Sequence, residues 1–266
     1  MKLFFFLCFL YFVLTFSAYS QEIDTQTLRC QYKLTYVKDS TNMGKTSEDL
    51  MILELGRKCS KFYSYYTFHS DSLVDADTKA GVSVMEMIGN MAKYGGKRSS
   101  YTVYRDYPEG DVTVVDKIID SHYCYAEPIV LPQWQVKAEY DTILGYRCQM
   151  AVCNFKGRSY VAWFAPGIPV NGGPWQLSGL PGLILKVADT RNHYTFQCVG
   201  LKASSLPIVF NKVELTKVSK KEYSKVVRRY YADAIGLIES TFGATITPLD
   251  GGGKPSKPYN PIDLTL

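Results

Sequence analysis

The sequence predicts a mainly β protein of the α+β class, in which an antiparallel sheet is combined with two helices. Short segments of alternating polar and apolar residues recur along the chain, separated by turns that contain Gly, Pro or Asn. The chain also contains 21 tyrosines, which suit sheet faces because the ring is apolar and the hydroxyl polar. Helical spacing of apolar residues occurs in two stretches, about 77–94 and 219–242.

The first predicted strand covers residues 28–38, where Tyr32, Leu34 and Tyr36 alternate with polar residues. A polar turn about Gly44-Lys45 predicts a hairpin between this strand and a second one over 49–63. Gly145 and Gly157 are expected at turns or bulges, and residues 189–192 at a hairpin turn. Beyond the first, individual strands are predicted at 50–55, 61–69, 99–104, 112–120, 121–127, 134–137, 141–153, 158–164, 183–188, 194–201 and 209–217.

Both predicted helices leave two interpretations open. The first carries Val84, Ile88 and several methionines on one face, which indicates packing against the sheet or an adaptable lining for an apolar ligand. The second begins at a capping box, Ser219 with Glu222, and contains Gly236, which weakens a helix locally. The outer face of this second helix is basic. We expect it either to be solvated or to contact acidic lipid headgroups or an acidic protein partner.

The N-terminus has the pattern of a secretory signal peptide. Lys2 precedes an apolar run that ends near Ala18-Tyr19-Ser20, so residues 1–20 are expected to be removed. Cys8 lies inside the apolar run, which argues against a lipid anchor. We therefore expect an exported protein, periplasmic or secreted, with one β-rich domain over 21–247, no transmembrane segment in the mature chain, and a flexible Pro- and Gly-rich tail over 248–266.

Removal of residues 1–20 would leave six of the seven cysteines, and an even number of cysteines in an exported chain favours disulfides over metal binding. Fifteen pairings of six cysteines are possible, and the sequence does not choose among them. The predicted hairpin places Cys30 opposite Cys59, which suggests a first pair. Cys153 and Cys198 lie on strands that flank residues 162–187 and are a second candidate pair. Elimination then leaves Cys124 with Cys148. The candidates are Cys30, Cys59, Cys124, Cys148, Cys153 and Cys198.

Residues 162–187 form the most unusual stretch, because they combine two of the three tryptophans with several prolines and glycines and end in an apolar run. Leu180-Pro181-Gly182-Leu183 predicts a type II turn with Gly182 at positive φ. Residues 179–184 spell GLPGLI, and the chain resembles the family of exported Bacteroidetes proteins that carries this motif. The similarity extends over about 130–200 and includes residues 145–148, 157–160, 162–164, 168–169 and 173–175. It implies an envelope role without naming a ligand.

The β pattern also resembles the open half-barrels of periplasmic lipoprotein carriers, whose apolar concave face is covered by helices. Removal of Lys2 with the signal peptide leaves 29 basic against 25 acidic side chains, too mild a charge to indicate nucleic-acid binding. No nucleophile elbow, zinc-protease motif or phosphate loop is found. His69, His122 and His193 are far apart in sequence, so neither a metal site nor a cofactor is predicted.

Three hypotheses follow for function. The first is a non-catalytic envelope protein that binds an apolar small molecule or an envelope protein segment at the motif loop, through Trp163, Trp175, Leu180, Pro181 and Gly182. Arg147 and Arg158, expected on adjacent strands, would clamp an anionic ligand or pair with Glu139 and Asp141. The second makes the motif a purely structural packed corner. The third is an envelope hydrolase with dispersed acidic and histidine residues.

Overall fold

The computed structural model describes residues 21–93, 98–210, 213–243, 245 and 259–266. Its main feature is a twelve-stranded sheet, open rather than closed into a barrel, in which every pair is antiparallel except the pair at one edge. The fold is therefore mainly β, as predicted. The strands are β1 Gln21–Thr25, β2 Leu28–Val37, β3 Thr46–Leu55, β4 Ser60–Ser64, β5 Tyr101–Arg105, β6 Asp111–Ile118, β7 Ser121–Pro128, β8 Gln135–Ile143, β9 Tyr146–Phe155, β10 Arg158–Ala165, β11 Leu183–Asp189, β12 Tyr194–Ala203, β13 Pro207–Phe210 and β14 Leu215–Lys217.

The strand order of the sheet is β14-β7-β6-β5-β4-β3-β2-β12-β11-β10-β9-β8, while β1 and β13 form a separate two-stranded ribbon. Two-residue hairpin turns set much of the register. Leu144-Gly145 and Lys156-Gly157 both have positive φ at each residue, as the hairpin turns compatible with strand twist require. The predicted hairpin of β2 with β3 and the predicted pairing of β11 with β12 are both present.

The first helical region differs from the prediction. The segment predicted as a strand over 61–69 ends at Ser64, and a helix, α1 (Tyr65–Lys79), begins there. The Ser64 hydroxyl accepts a hydrogen bond from the Thr67 N–H and donates one to the buried Asp49, so it caps the helix at a fixed point on the sheet. The predicted helix over 77–94 is shorter, as α2 (Val84–Lys93).

The second helical region is interrupted at Asp233, which separates α3 (Lys220–Ala232) from α4 (Ala234–Phe242). The predicted capping box of Ser219 and Glu222 is confirmed. Asp233 leaves helical geometry and its carboxylate accepts the Gly236 N–H at 2.8 Å. A β-carbon on Gly236 would lie 2.0 Å from that carboxylate, so glycine permits the cap that ends the continuous helix.

The two faces of the sheet have different environments. One face, which we call the inner face, carries Tyr32, Leu34, Phe62 and Phe196 in the main hydrophobic core, and α3 packs over it through β7. The opposite face carries Lys61, Tyr63 and Tyr104 beside α1 and β13. The expected signal peptide lies outside the described residues, and among those residues no helix is long and apolar enough to cross a membrane.

The predicted disulfide pairs do not form. All six cysteines are buried and free in the described part of the chain. Cys30 lies opposite Leu53, whereas Cys59 belongs to the turn after β3. Two strands separate Cys153 on β9 from Cys198 on β12. Cys124 and Cys148 lie on β7 and β9, far apart in the strand order. Cys30 instead neighbours Cys198, which together with burial raises the pKa of Cys30.

Alkylation in denaturant without reductant is therefore expected to label all six of these cysteines, because the structure joins none of them in a disulfide. Peptide mass spectrometry reads the label at each position. In the native protein the same reagent should react slowly, since each thiol is buried. Any of the six that is labelled only after reduction would contradict the structure.

Candidate functional site

A cavity of about 650 Å³, which we call the tyrosine cavity, lies between the inner face and α3. Small-molecule sites usually measure ~300–1,000 Å³, so the cavity is of the size that holds a ligand. Seven tyrosines dominate its lining: Tyr36, Tyr101, Tyr194, Tyr223, Tyr230, Tyr231 and Tyr259. Aliphatic side chains complete the apolar part: Leu34, Ile118, Ile119, Val227, Ile262 and Leu266.

The aromatic walls are organised by ring packing. Tyr36 and Tyr194 stack nearly parallel across β2 and β12, with ring centroids 6.0 Å apart. Tyr231 of α3 packs on Tyr259 at 4.4 Å. The hydroxyls of Tyr101 and Tyr259 are buried without a hydrogen-bond partner in the described structure. An unsatisfied buried hydroxyl costs ~1–3 kcal/mol, which a polar atom entering the cavity would offset.

Asp116 is the buried acid of the cavity. Its carboxylate oxygens accept hydrogen bonds from Ser100 Oγ at 2.5 Å and Tyr223 Oη at 2.6 Å. Tyr223 belongs to α3, so this bond fixes the helix over the inner face. Burial raises the pKa of Asp116 above its ordinary value, against the lowering effect of the two hydroxyl donors.

This raised pKa predicts a pH dependence of stability. Because the folded chain holds the Asp116 proton to a higher pH than the unfolded chain, the carboxyl favours the fold most at low pH. That contribution is lost as pH rises from 3.8 through the raised pKa. The unfolding free energy of wild type minus that of Asp116→Asn should fall over this window and then level off, as measured by urea unfolding. A difference for Asp116→Asn that stays flat across this window would contradict the assignment.

One wall of the cavity comes from residues 259–266, which we call the C-terminal segment. The expected flexible tail, 248–266, is thus packed over its last eight residues, while residues 248–258 lie outside the described residues. The Tyr194 hydroxyl donates to the Asn260 carbonyl at 2.6 Å, and the Asn260 amide donates to the Val37 carbonyl at 2.7 Å. Asp263 accepts from Lys220 of α3 at 2.9 Å. These bonds tie the segment to both sides of the cavity.

Arg158 positions the C-terminal segment. Its guanidinium pairs with the buried Asp189 at 3.0 Å and donates to the Ile262 carbonyl at 3.0 Å and the Asn260 side chain at 2.8 Å. It also donates to the Pro261 carbonyl and packs on the Tyr194 ring. Arg158 was one of the two arginines expected to clamp an anion. It does not line the cavity, and its N–H groups donate to protein acceptors.

Arg147 lies far from Arg158. Arg158 is opposite Phe155 at one end of β9, whereas Arg147 is near the other end of that strand. The eight intervening steps correspond to roughly 26 Å at ~3.3 Å per residue. Arg147 is exposed and stacks on the Tyr140 ring at 4.0 Å. The structure does not bring the two arginines together.

The stretch between β10 and β11, residues 166–182, which we call the GLPGLI loop, forms a packed corner together with Trp163 at the end of β10. Trp175 and Leu180 are buried, and Trp175 packs edge-on against Phe155. Trp163 is half-buried, and only Pro181 of the loop candidates is exposed. None of the five lines the tyrosine cavity. The Trp134 indole donates to the Ser178 carbonyl at 2.7 Å, which closes the corner on its outer side.

Gly182 has positive φ, as predicted, but the turn is tighter than type II. Its N–H donates to the Leu180 carbonyl, and the Leu183 N–H donates to Ile168 instead. A β-carbon at Gly182 would lie 2.3 Å from the Ala165 carbonyl oxygen. Glycine is required here because two backbone segments touch.

A second cavity, of about 190 Å³, lies on the other side of the sheet beside α1. His122, Asp71 and Asp75 line it together with Lys61 and Lys117. His69 lies elsewhere, against Tyr65, and His193 contacts Arg158. Among the described residues no three His, Cys, Asp or Glu side chains are arranged to hold a metal ion.

Comparison with known proteins finds one short match to a family model. Residues 154–186 match the family model described as a protein of unknown function, Porph_ging. This match covers β10 and the GLPGLI corner. No curated protein sequence matches the chain.

The chain is similar in fold to solved structures, including two of PNGF-II. Structures of PNGF-II in the P21 and C2 space groups align at TM-score 0.52, with 13% and 15% sequence identity. The alignments cover 77% of this chain and 34% and 33% of the PNGF-II chains. The chain therefore spans about a third of the length of these relatives, and at this identity the likeness concerns the fold alone.

Sequence reasoning missed the tyrosine cavity. One signal was present: Tyr223, Tyr230 and Tyr231 recur at i, i+7 and i+8, one face of α3. The sequence does not predict which residues these three tyrosines contact, because the tyrosines of the inner face lie on strands that are distant in sequence. The packing of residues 259–266 had no sequence signal, since Pro and Gly dominate the preceding residues.

Proposed function

We propose that this chain is an exported, non-catalytic envelope protein that binds an apolar or amphipathic small molecule in the tyrosine-lined cavity. The observation that carries the proposal is the size and lining of that cavity: about 650 Å³, walled by seven tyrosine rings and aliphatic side chains. In this proposal the open sheet forms a half-barrel, and α3 and the C-terminal segment cover its inner face.

The GLPGLI loop has a structural part in this proposal. Its buried Trp175 and Leu180 and the close approach at Gly182 support a packed corner rather than an open binding loop. The corner leads into β11, whose Ile184 carbonyl accepts the Tyr32 hydroxyl at 2.8 Å on the inner face. The motif thus supports the sheet from which the cavity is built.

The hydrolase hypothesis ranks second, and the smaller cavity with His122, Asp71 and Asp75 is where its chemistry would lie. At about 190 Å³ this cavity falls below the usual range for a small-molecule site. Envelope polymers would need a longer cleft. The tyrosine cavity is therefore the better-supported site.

A cavity-filling substitution tests the proposal. Val227 is buried on α3 and lines the cavity, so Val227→Trp should lower affinity for an environment-sensitive fluorescent fatty acid at least tenfold, measured by titration. The matched control is Lys225→Trp, which adds the same side chain to the exposed face of the same helix. Circular dichroism verifies that both variants fold. Equal affinity of a folded Val227→Trp and Lys225→Trp would place the site elsewhere.

A further inference from the structure

The charges along the tyrosine cavity are uneven. Three cationic side chains line it, Lys38, Arg98 and Lys117, against two side-chain carboxyls, Asp71 and Asp116. Asp116 already accepts two hydroxyl hydrogen bonds, and burial raises its pKa. Asp71 is engaged by another group of the protein. The carboxyls therefore make poor partners for a cationic ligand.

Two of the cations are available at the mouth of the cavity. Lys117 lies 3.9 Å from Asp120, whereas Lys38 and Arg98 are exposed and pair with no carboxylate in the part of the chain that the structure describes. Lys38 Nζ lies 5.7 Å from the Tyr36 ring. The Arg98 charge also acts on Tyr36, since it opposes the increase in the Tyr36 pKa that burial causes. Both cations line the same cavity as Tyr36.

The backbone around Arg98 is held in place. The Arg98 N–H donates to Thr67 Oγ1 of α1 at 2.8 Å, and the Ser99 N–H donates to the buried Asp49 at 2.9 Å. The guanidinium lies over the Tyr66 ring, 5.5 Å from its centroid. A side chain that rests on an aromatic ring and has a fixed backbone loses less freedom when it binds an anion.

We propose that the ligand of the cavity is a long-chain amphiphile with an anionic head group, either carboxylate or phosphate. Arg98 and Lys38 bind the head group at the mouth, beside Tyr36. The hydrocarbon chain lies between the inner face and α3, against the tyrosine rings and aliphatic side chains. This inference rests on the proposed function and adds the chemical class of the ligand.

Competition against the fluorescent fatty acid tests the head-group preference. The competitors are palmitate, hexadecanol, lysophosphatidate, lysophosphatidylcholine and inorganic phosphate, with the full chain at low salt. Palmitate and lysophosphatidate should bind about tenfold more tightly than hexadecanol, a difference of ~1.4 kcal/mol. Inorganic phosphate should not compete, because it lacks the chain; competition by phosphate alone would overturn the amphiphile.

The double variant Arg98→Gln/Lys38→Gln separates the inference from the proposed function. It should lose the tenfold preference for palmitate while its affinity for hexadecanol stays unchanged. The matched control is Arg191→Gln/Lys202→Gln, which removes one exposed arginine and one exposed lysine that do not line the cavity. An unchanged preference in the double variant, or wild-type affinity equal for palmitate and hexadecanol, overturns the inference alone. Failure of every chain-bearing competitor and of the fluorescent probe overturns the proposed function as well.

Discussion

Trp175→Ala is expected to lower the free energy of unfolding by about 3–5 kcal/mol, as removal of a core aromatic does. Trp175 is only 5% exposed and packs edge-on against Phe155, so its loss leaves a cavity where the GLPGLI loop meets β9. Urea unfolding followed by circular dichroism measures the change. This outcome would make the motif a structural corner.

The matched control for this prediction is Trp163→Ala. Trp163 is half-buried and its truncation should cost clearly less. The folded Trp175→Ala protein should also retain its affinity for the fluorescent fatty acid, because Trp175 does not line the tyrosine cavity. Unchanged stability together with lost affinity would contradict the structural assignment and return the binding site to the loop.

Arg158→Leu is expected to destabilise the protein by about 3–5 kcal/mol, because it leaves the carboxylate of Asp189 buried without its partner. Asp189 is 2% exposed. The substitution also removes the donors to the Asn260 side chain and to the Pro261 and Ile262 carbonyls. Amide hydrogen exchange over residues 259–266 should therefore accelerate more than exchange in β2 or β3.

Two variants control for the loss of a positive charge and for the unpaired carboxylate. Arg147→Leu removes an exposed arginine that stacks on Tyr140 and should cost at most ~1 kcal/mol. Arg158→Leu/Asp189→Leu removes both buried charges and should recover part of the stability lost in Arg158→Leu. If Arg158→Leu were as stable as Arg147→Leu, with unchanged exchange in the C-terminal segment, the anchoring role would be wrong.

The sheet and the start of α3 were predictable because their signals are local. Alternation in β2, the glycine turns at Gly145 and Gly157, and the capping box at Ser219 each act within a few residues. The helical boundaries that differed depend on tertiary contacts. Ser64 begins α1 while bonded to Asp49, fifteen residues earlier on the neighbouring strand, and no local pattern reveals that contact.

The candidate site was less predictable for the same physical reason. Composition showed that tyrosines are numerous, but the cavity arises where strands that are distant in sequence meet α3. The cysteine pairs failed because pairing depends on strand order, which the sequence leaves open. Arg158 was predicted to clamp an anion or to pair with Glu139 or Asp141, whereas its partners are Asp189 and the C-terminal segment, which are far away in sequence.

A crystal structure of the full chain with palmitate tests the central claim most directly. We expect electron density for the hydrocarbon chain between the inner face and α3, bordered by Tyr36 and Val227, with the GLPGLI loop unchanged. Density against Trp163 and Pro181, with the tyrosine cavity empty or closed by a shift of α3, would contradict the account.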